Sequence, residues 1–261
     1  EGVEVTAKSM GYNIILGSSY SSEAQLLDYL TLLNTKLVDG IILMEKIKKD
    51  KIMEKIKDEN VFKKIVQCSE YIEENELTYV TIDHKKAAYE AVSHLISIGK
   101  KDIYLFSMKK DYTYSALRRE GLIEAMRDNG LEFKKENEVL LDELSIKEAQ
   151  KHMNIILNNR EVENIGIFAV SDVIAIGILK ALNTKNIKIP QEAAVIGFDN
   201  IDFSAVTEPS LTTVSQPGYE LGAESVKSLV RKITGECNDP EKIILDHELI
   251  VRETTNKFVL K

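Results

Sequence analysis

From one end of this chain to the other, short β-branched or apolar runs alternate with stretches of helical period, and no other feature restricts the fold as much. A strand that leads through a helix into the next strand returns in the same direction. A long series of such units therefore builds parallel sheets covered by helices, an α/β fold. Candidate strands are Tyr12–Leu16, Gly40–Met44, Lys64–Gln67, Tyr79–Ile82, Ile103–Phe106, Val139–Leu141, Ile165–Val170, Ala194–Phe198, Leu211–Val214 and Leu249–Arg252. The nearly unbroken apolarity of Ile165–Val170 predicts a strand buried on both faces. The helices carry their own punctuation. Ser19, Ser21 and Ser22 offer N-caps before the Leu26, Leu30, Leu33 stripe, and Ser145 with Glu148 reads as a capping box before Met153. Gly99, Gly130 and Gly235 stand just past helical patterns. At the start, Val3, Ala7 and Met10 form a helical stripe with no strand ahead of it, so a first strand is expected upstream.

Composition narrows the function. With 44% hydrophobic and 29% charged residues over 261 positions, the chain has the makings of a folded globular protein. Its net charge of -8 repels phosphate backbones and anionic membranes, so this segment is not expected to read nucleic acid itself. In the most basic stretch, Lys46–Lys64, acidic residues are interleaved and Ile52, Met53 and Ile56 form an apolar stripe, the pattern of a solvated helix face. Two cysteines, Cys68 and Cys237, lack neighbours at metal spacing, so neither zinc nor a disulfide framework is expected. No apolar run has the length of a bilayer span and no signal-peptide pattern opens the chain; a cytoplasmic location is expected.

The stretch Ile187–Pro217, IKIPQEAAVIGFDNIDFSAVTEPSLTTVSQP, closely resembles the effector domain of the lactose-repressor (LacI/GalR) family. VDGIIL at Val38–Leu43, DHKKAAYEAVSHLISIGKKDI at Asp83–Ile103, RREGLIEAMRDNG at Arg118–Gly130, IFAVSDVIAIG at Ile167–Gly177 and LIVRETT at Leu249–Thr255 agree in order and spacing, so the resemblance covers essentially the whole chain. It implies two doubly wound subdomains of the periplasmic-binding-protein type I fold, joined by three crossovers, with a small-molecule cleft between them. The crossovers are expected near Ser107–Met108, Thr213–Ser215 and Lys242–Ile244, which assigns 1–107 plus 215–243 to one subdomain and 108–214 plus 244–261 to the other. It also implies a homodimer in which a small polar, sugar-like effector alters operator DNA binding by a helix-turn-helix headpiece lying upstream.

The same resemblance marks effector-binding residues. Arg118, three before Gly121, matches the family's R-x-x-G arginine, whose planar fork suits hydroxyls or a carboxylate; Arg119 beside it matches nothing and reads as a surface group. Asp199 ends a strand, where a doubly wound sheet places its ligand crevice, although Asp-Asn is also a ready turn former. Ser171, Gln216 and Ser107 follow or end strands and are further candidates, whereas Asp172 reads as a helix N-cap. Glu143 stands where relatives often place an aromatic, a departure that favours polyhydroxyl or cationic ligands over flat rings. Scattered histidines and the absence of a nucleophile elbow, P-loop or dinucleotide fingerprint leave no basis for an enzyme or for a cofactor. The alternative is a sugar-binding protein of a transport system, with the same cleft and no DNA function.

Overall fold

The structure is a computed structural model that describes residues 1–20, 22–109, 112–159 and 163–256. In chain order they form α1 (Gly2–Ser9), α2 (Glu23–Asn34), β1 (Ile41–Leu43), α3 (Lys49–Lys55), α4 (Glu59–Phe62), β2 (Ile65–Cys68) and β3 (Thr78–Ile82). There follow α5 (His84–Ser97), β4 (Asp102–Met108), α6 (Thr113–Asp128), β5 (Glu138–Leu141), α7 (Ile146–Asn159), β6 (Ile165–Ala169) and α8 (Asp172–Thr184). The last elements are β7 (Ala193–Asp199), α9 (Asp202–Val206), β8 (Thr212–Ser215), α10 (Gly218–Thr234), β9 (Lys242–Leu245) and β10 (Glu248–Ile250). The fold is α/β with parallel sheets, as the alternation requires.

Two compact units divide the chain. The first comprises Glu1–Ile82 and Pro217–Asp246, the second Asp83–Gln216 and the segment from His247. In the first, four parallel strands run in the order β1-β2-β3-β9. Leu26, Leu30 and Leu33 of α2 meet Ile52, Ile56, Phe62 and Ile65 in its core, so the stripe inside the lysine-rich stretch is a buried face. Ser22 caps α2, its hydroxyl accepting from the Gln25 amide at 3.4 Å, while Ser21 lies outside the described residues. In the second unit, six strands run β10-β8-β7-β6-β4-β5, all parallel except β10, which lies antiparallel on β8. Every residue of β6 is buried, as its unbroken apolarity predicts. Gly99, Gly130 and Gly235 all adopt positive φ beyond helix ends, and the Glu148 amide donates to Ser145 Oγ at 3.1 Å, half of the expected capping box.

Four expectations need correction. The first crossover follows Ile82, not Ser107–Met108, because β4 is hydrogen-bonded between β5 and β6, and α5 packs on α6. The second falls after Gln216 rather than Thr213–Ser215, and the third after Asp246 rather than Lys242–Ile244, since β9, a strand unforeseen in the sequence, completes the first sheet beside β3. Tyr12–Leu16 is no strand: a strand exists only as part of a ladder, the only described neighbour of β1 is β2, and Ile15 and Leu16 are 70% and 93% exposed.

Gly121 shows why the R-x-x-G pattern ends in glycine. Helix α6 crosses α5 so closely that a Cβ at this position would lie 2.1 Å from the Lys85 carbonyl oxygen. Gly121→Ala must part the two helices and is expected to cost about 1–3 kcal/mol, read as a lower urea midpoint with an unchanged slope. An unaltered midpoint would show that the crossing is not held this tightly.

Candidate functional site

The sheet of the second unit brings together the carboxyl ends of β4, β6, β7 and β8, and the chemistry collects there. Asp199 is the last residue of β7, in register with Ser215 of β8. Its backbone has φ 112° and that of Asn200 φ 53°, so two successive non-glycine residues occupy the left-handed half of conformational space. Side-chain bonds hold this bend. Ile201 N donates to Asp172 Oδ2 at 2.9 Å, Arg252 Nη2 donates to Asn200 Oδ1 at 2.8 Å, and Asn200 Nδ2 donates to Ser215 Oγ at 3.2 Å.

The bend aims the Asp199 carboxylate at two donors. Ser171 Oγ donates to Oδ2 at 3.0 Å and Gln216 Nε2 to Oδ1 at 2.7 Å. Burial pushes the Asp199 carboxyl up from its ordinary value, while the Arg118 guanidinium and the two hydrogen bonds oppose that rise. The other face of the Gln216 amide, Oε1, is buried with no donor in reach among the described residues, and the hydroxyl of Ser115 on α6 is likewise buried without a partner among them. Each is a buried polar atom whose desolvation no described residue offsets.

Arg118 is 3% exposed. Its guanidinium carbon lies 3.4 Å from the Phe198 ring centroid and 4.7 Å from that of Tyr114, an arrangement that sustains a buried cation through the ring faces. One Nη donates to the Val170 carbonyl and the other approaches His84 Nδ1 at 3.3 Å. Because a guanidinium only donates, Nδ1 is the accepting atom of this contact. Tyr114 stacks in turn on Tyr112, with centroids 5.1 Å apart.

The structure thus gathers Arg118, Asp199, Ser171 and Gln216. Ser107 is buried near the carboxyl end of β4 on the same edge of the sheet, without a direct bond to the cluster among the described residues. Glu143 follows the outermost strand β5, exposed and apart from the others. Ser171, not Asp172, is the N-cap of α8, its hydroxyl accepting from Val173 N at 3.3 Å. Asp172 is fully buried in the first turn, where its Oδ1 also accepts from Thr213 Oγ1 at 2.6 Å. Sequence reasoning passed over His84, Tyr114 and Arg252. Tyr114 had a signal, four residues before Arg118 on one helix face, and so had His84, two residues past a strand end at the start of a helix. Arg252 lies within the LIVRETT segment, whose Thr254 and Thr255 hydroxyls bond the Val195 carbonyl (2.7 Å) and Thr212 Oγ1 (2.8 Å).

Among the described residues, no helix is long and apolar enough to cross a membrane, and no group of three or more His, Cys, Asp or Glu is placed to hold a metal ion.

Burial pushes the Asp172 carboxyl up to about 7, with Asp199 adding to the rise and the bonds from Thr213 and Ile201 opposing it. A folded-state value above that of the unfolded chain, about 3.9, means that the proton binds the native state more tightly. Stability from this group is complete below about pH 4 and is lost as pH rises to about 7. Asp172→Asn removes that titration, so between pH 4 and 8 the stability of the variant relative to the parent should rise by up to about 4 kcal/mol, measured by urea unfolding. A difference that stays flat with pH would refute the assignment.

Comparison with known proteins places these features in context. Residues 92–255 match the family described as periplasmic binding protein-like domain. The HTH-type transcriptional regulator RegA of Clostridium saccharobutylicum is 32% identical over 256 residues, 97% of this chain and 76% of its own length. The ribose operon repressor of Halalkalibacterium halodurans is 33% identical over 253 residues, 97% of this chain and 73% of its own. A solved LacI family transcriptional regulator from Enterococcus faecium, with bound ribose, matches with a TM-score of 0.82 at 26% identity, covering 97% of this chain and 91% of that one.

Proposed function

This chain belongs to the LacI family of transcriptional regulators, through its periplasmic binding protein-like domain, and on that premise we propose that it senses a small, sugar-like effector bound by Arg118, Asp199, Ser171 and Gln216. The observation that carries this reading is the Asp199 bend. Two strained residues end a buried strand and present a carboxylate, fixed by Ser171 and Gln216, at the carboxyl edge of a parallel sheet. A carboxylate with spare lone pairs, the open acceptor Gln216 Oε1 and a nearby fork of guanidinium donors form the set that a ring of hydroxyls satisfies, since each hydroxyl both donates and accepts. The Tyr112–Tyr114 stack supplies an apolar face for the carbon side of such a ligand. Ser107 borders the site; Glu143 is left out of it.

The regulator acts, in this reading, as a cytoplasmic homodimer on operator DNA, which is contacted by a headpiece outside residues 1–261, the net charge of -8 suiting these residues to sensing rather than to phosphate contact. The effector changes DNA affinity only by as much as its own affinity differs between the arrangements of the protein. A transport protein is not favoured, because the relatives matched along nearly the whole chain are regulators.

The test is a thermal-shift screen against pentoses, hexoses, disaccharides, sugar phosphates, nucleosides and purines, since a ligand of the native state alone raises the melting temperature. A sugar or nucleoside is expected to stabilise the protein. Arg118→Ala and Asp199→Ala should each weaken its binding about tenfold or more in calorimetry, with an unchanged circular dichroism spectrum. A flat screen, or variants that bind as the parent does, would overturn the proposal.

A further inference from the structure

The first unit contains a cavity of about 470 Å³ of its own, at the amino ends of β2, β3 and β9, the edge opposite to that on which parallel sheets usually carry their ligands. Its size is that of a small-molecule site. Phe62, Leu77 and Tyr79 line its apolar side, Tyr79 held flat by stacking on Tyr71 at 4.2 Å between centroids.

Four lysines, Lys49, Lys63, Lys232 and Lys242, and three glutamates, Glu59, Glu73 and Glu76, also line it, so the sign of the ligand depends on which charges remain available. Glu76 is taken by Lys49 at 3.0 Å, with the Lys49 ammonium 5.2 Å above the Phe62 ring, and Glu73 is taken by Lys242. Those two pairs stand at the exposed rim. Glu59 and Lys63 are exposed and make no ion pair with each other. Lys232 differs from all of these. It is 5% exposed, its ammonium donates to the Asp239 carbonyl at 2.9 Å, and no carboxylate among the described residues pairs with it. Burial pulls its ammonium down from the ordinary lysine value. The deepest charge of the cavity is therefore an ammonium bonded to one carbonyl, with the Glu241 and Asp239 carboxylates near enough to favour its charge but not bonded to it, and a charge so placed gains from an anion that meets it directly.

We propose that this cavity is a second ligand site, for a small organic anion whose phosphate or carboxylate group meets Lys232 and Lys63 and whose flat apolar body lies against Phe62, Leu77 and Tyr79. The site is separate from the effector cluster and does not depend on that reading.

Phenyl phosphate, inorganic phosphate and benzyl alcohol are the probes, titrated calorimetrically into the whole protein at ionic strength held constant with sodium chloride. Phenyl phosphate is expected to bind saturably. Inorganic phosphate and benzyl alcohol, each offering half of the recognition, should bind about tenfold more weakly or worse. Lys232→Met keeps the aliphatic stem and should weaken phenyl phosphate about tenfold. Lys63→Glu, at an exposed position that folding tolerates, should weaken it as well and decides the matter should the first variant not fold. Hydrogen exchange with phenyl phosphate bound should slow around residues 59–79 and 232–242. Absence of saturable binding up to about 10 mM, equal affinity in the parent and Lys63→Glu, or protection confined to residues 171–216 would each overturn the proposal. Inorganic phosphate binding as tightly as phenyl phosphate would overturn its apolar half.

Discussion

The buried carboxylate of Asp172 ties together the elements that shape the effector cluster. From the first turn of α8 it accepts from Thr213 on β8 and from the Ile201 amide beyond β7, so one side chain joins a helix, a strand and the bend that carries Asp199. Gly197 makes room for it, since a Cβ there would lie 2.1 Å from Asp172 Oδ1. The small residue in the VIGFD run is thus explained by a contact and not by flexibility. Together with the bonds that join Arg252 and Ser215 to Asn200, these contacts oppose the strain of two left-handed non-glycine residues in succession, about 1–3 kcal/mol each, and keep Asp199 facing Ser171 and Gln216.

Much of the fold was legible in the sequence because burial leaves a local pattern. The short apolar runs of strands buried on both faces, the 3.6-residue stripes and the glycines beyond helix ends located most elements. What escaped was non-local. Tyr12–Leu16 has the composition of a strand, but composition does not supply a ladder partner. Lys242–Leu245 has an apolar run of only three residues, Ile243–Leu245, between charged neighbours, too short to distinguish a strand from a connection, yet β3 recruits it through backbone bonds. The misplaced first crossover has the same origin. Nothing local says which sheet β4 joins; only its pairing with β6, residue for residue from Asp102↔Ile165 to Phe106↔Ala169, decides it.

The cluster was legible where a motif fixed the backbone and illegible where a side chain reached across the fold. Arg118 and Arg119 are adjacent, and the pattern with Gly121 separated them: Arg118 lies buried between aromatic rings, while Arg119 forms an ordinary pair with Glu138 at 2.6 Å. Asp172 was assigned the capping role that Ser171 performs, because both are good caps and only the burial of the helix start decides which side chain turns to the backbone. Arg252 lies far along the chain from the bend it supports. Its bonds to Leu211 O, Ser204 Oγ and Asn200 Oδ1 are properties of the assembled sheet.

The polarity of α/β units accounts for the difference between the two clusters. A helix that follows a parallel strand turns its amino end, with its unpaired N–H groups and partial positive charge, toward the carboxyl edge of the sheet. Asp172 and Asp199 sit at that edge beside the start of α8, where a carboxylate is electrostatically favoured even as burial raises its proton affinity. The amino edge receives the carboxyl ends of helices, with their unpaired carbonyls. Lys232 belongs to the last turn of α10 and points its ammonium at a carbonyl just beyond it. The helix end tolerates this cation but does not neutralise it, since a partial charge of about one half at a helix terminus balances only part of a full one. Acidic groups at the carboxyl edge of the six-stranded sheet and a buried lysine at the amino edge of the four-stranded one follow from the same rule of strand and helix direction, and that asymmetry leaves room for two ligands of different character in one chain.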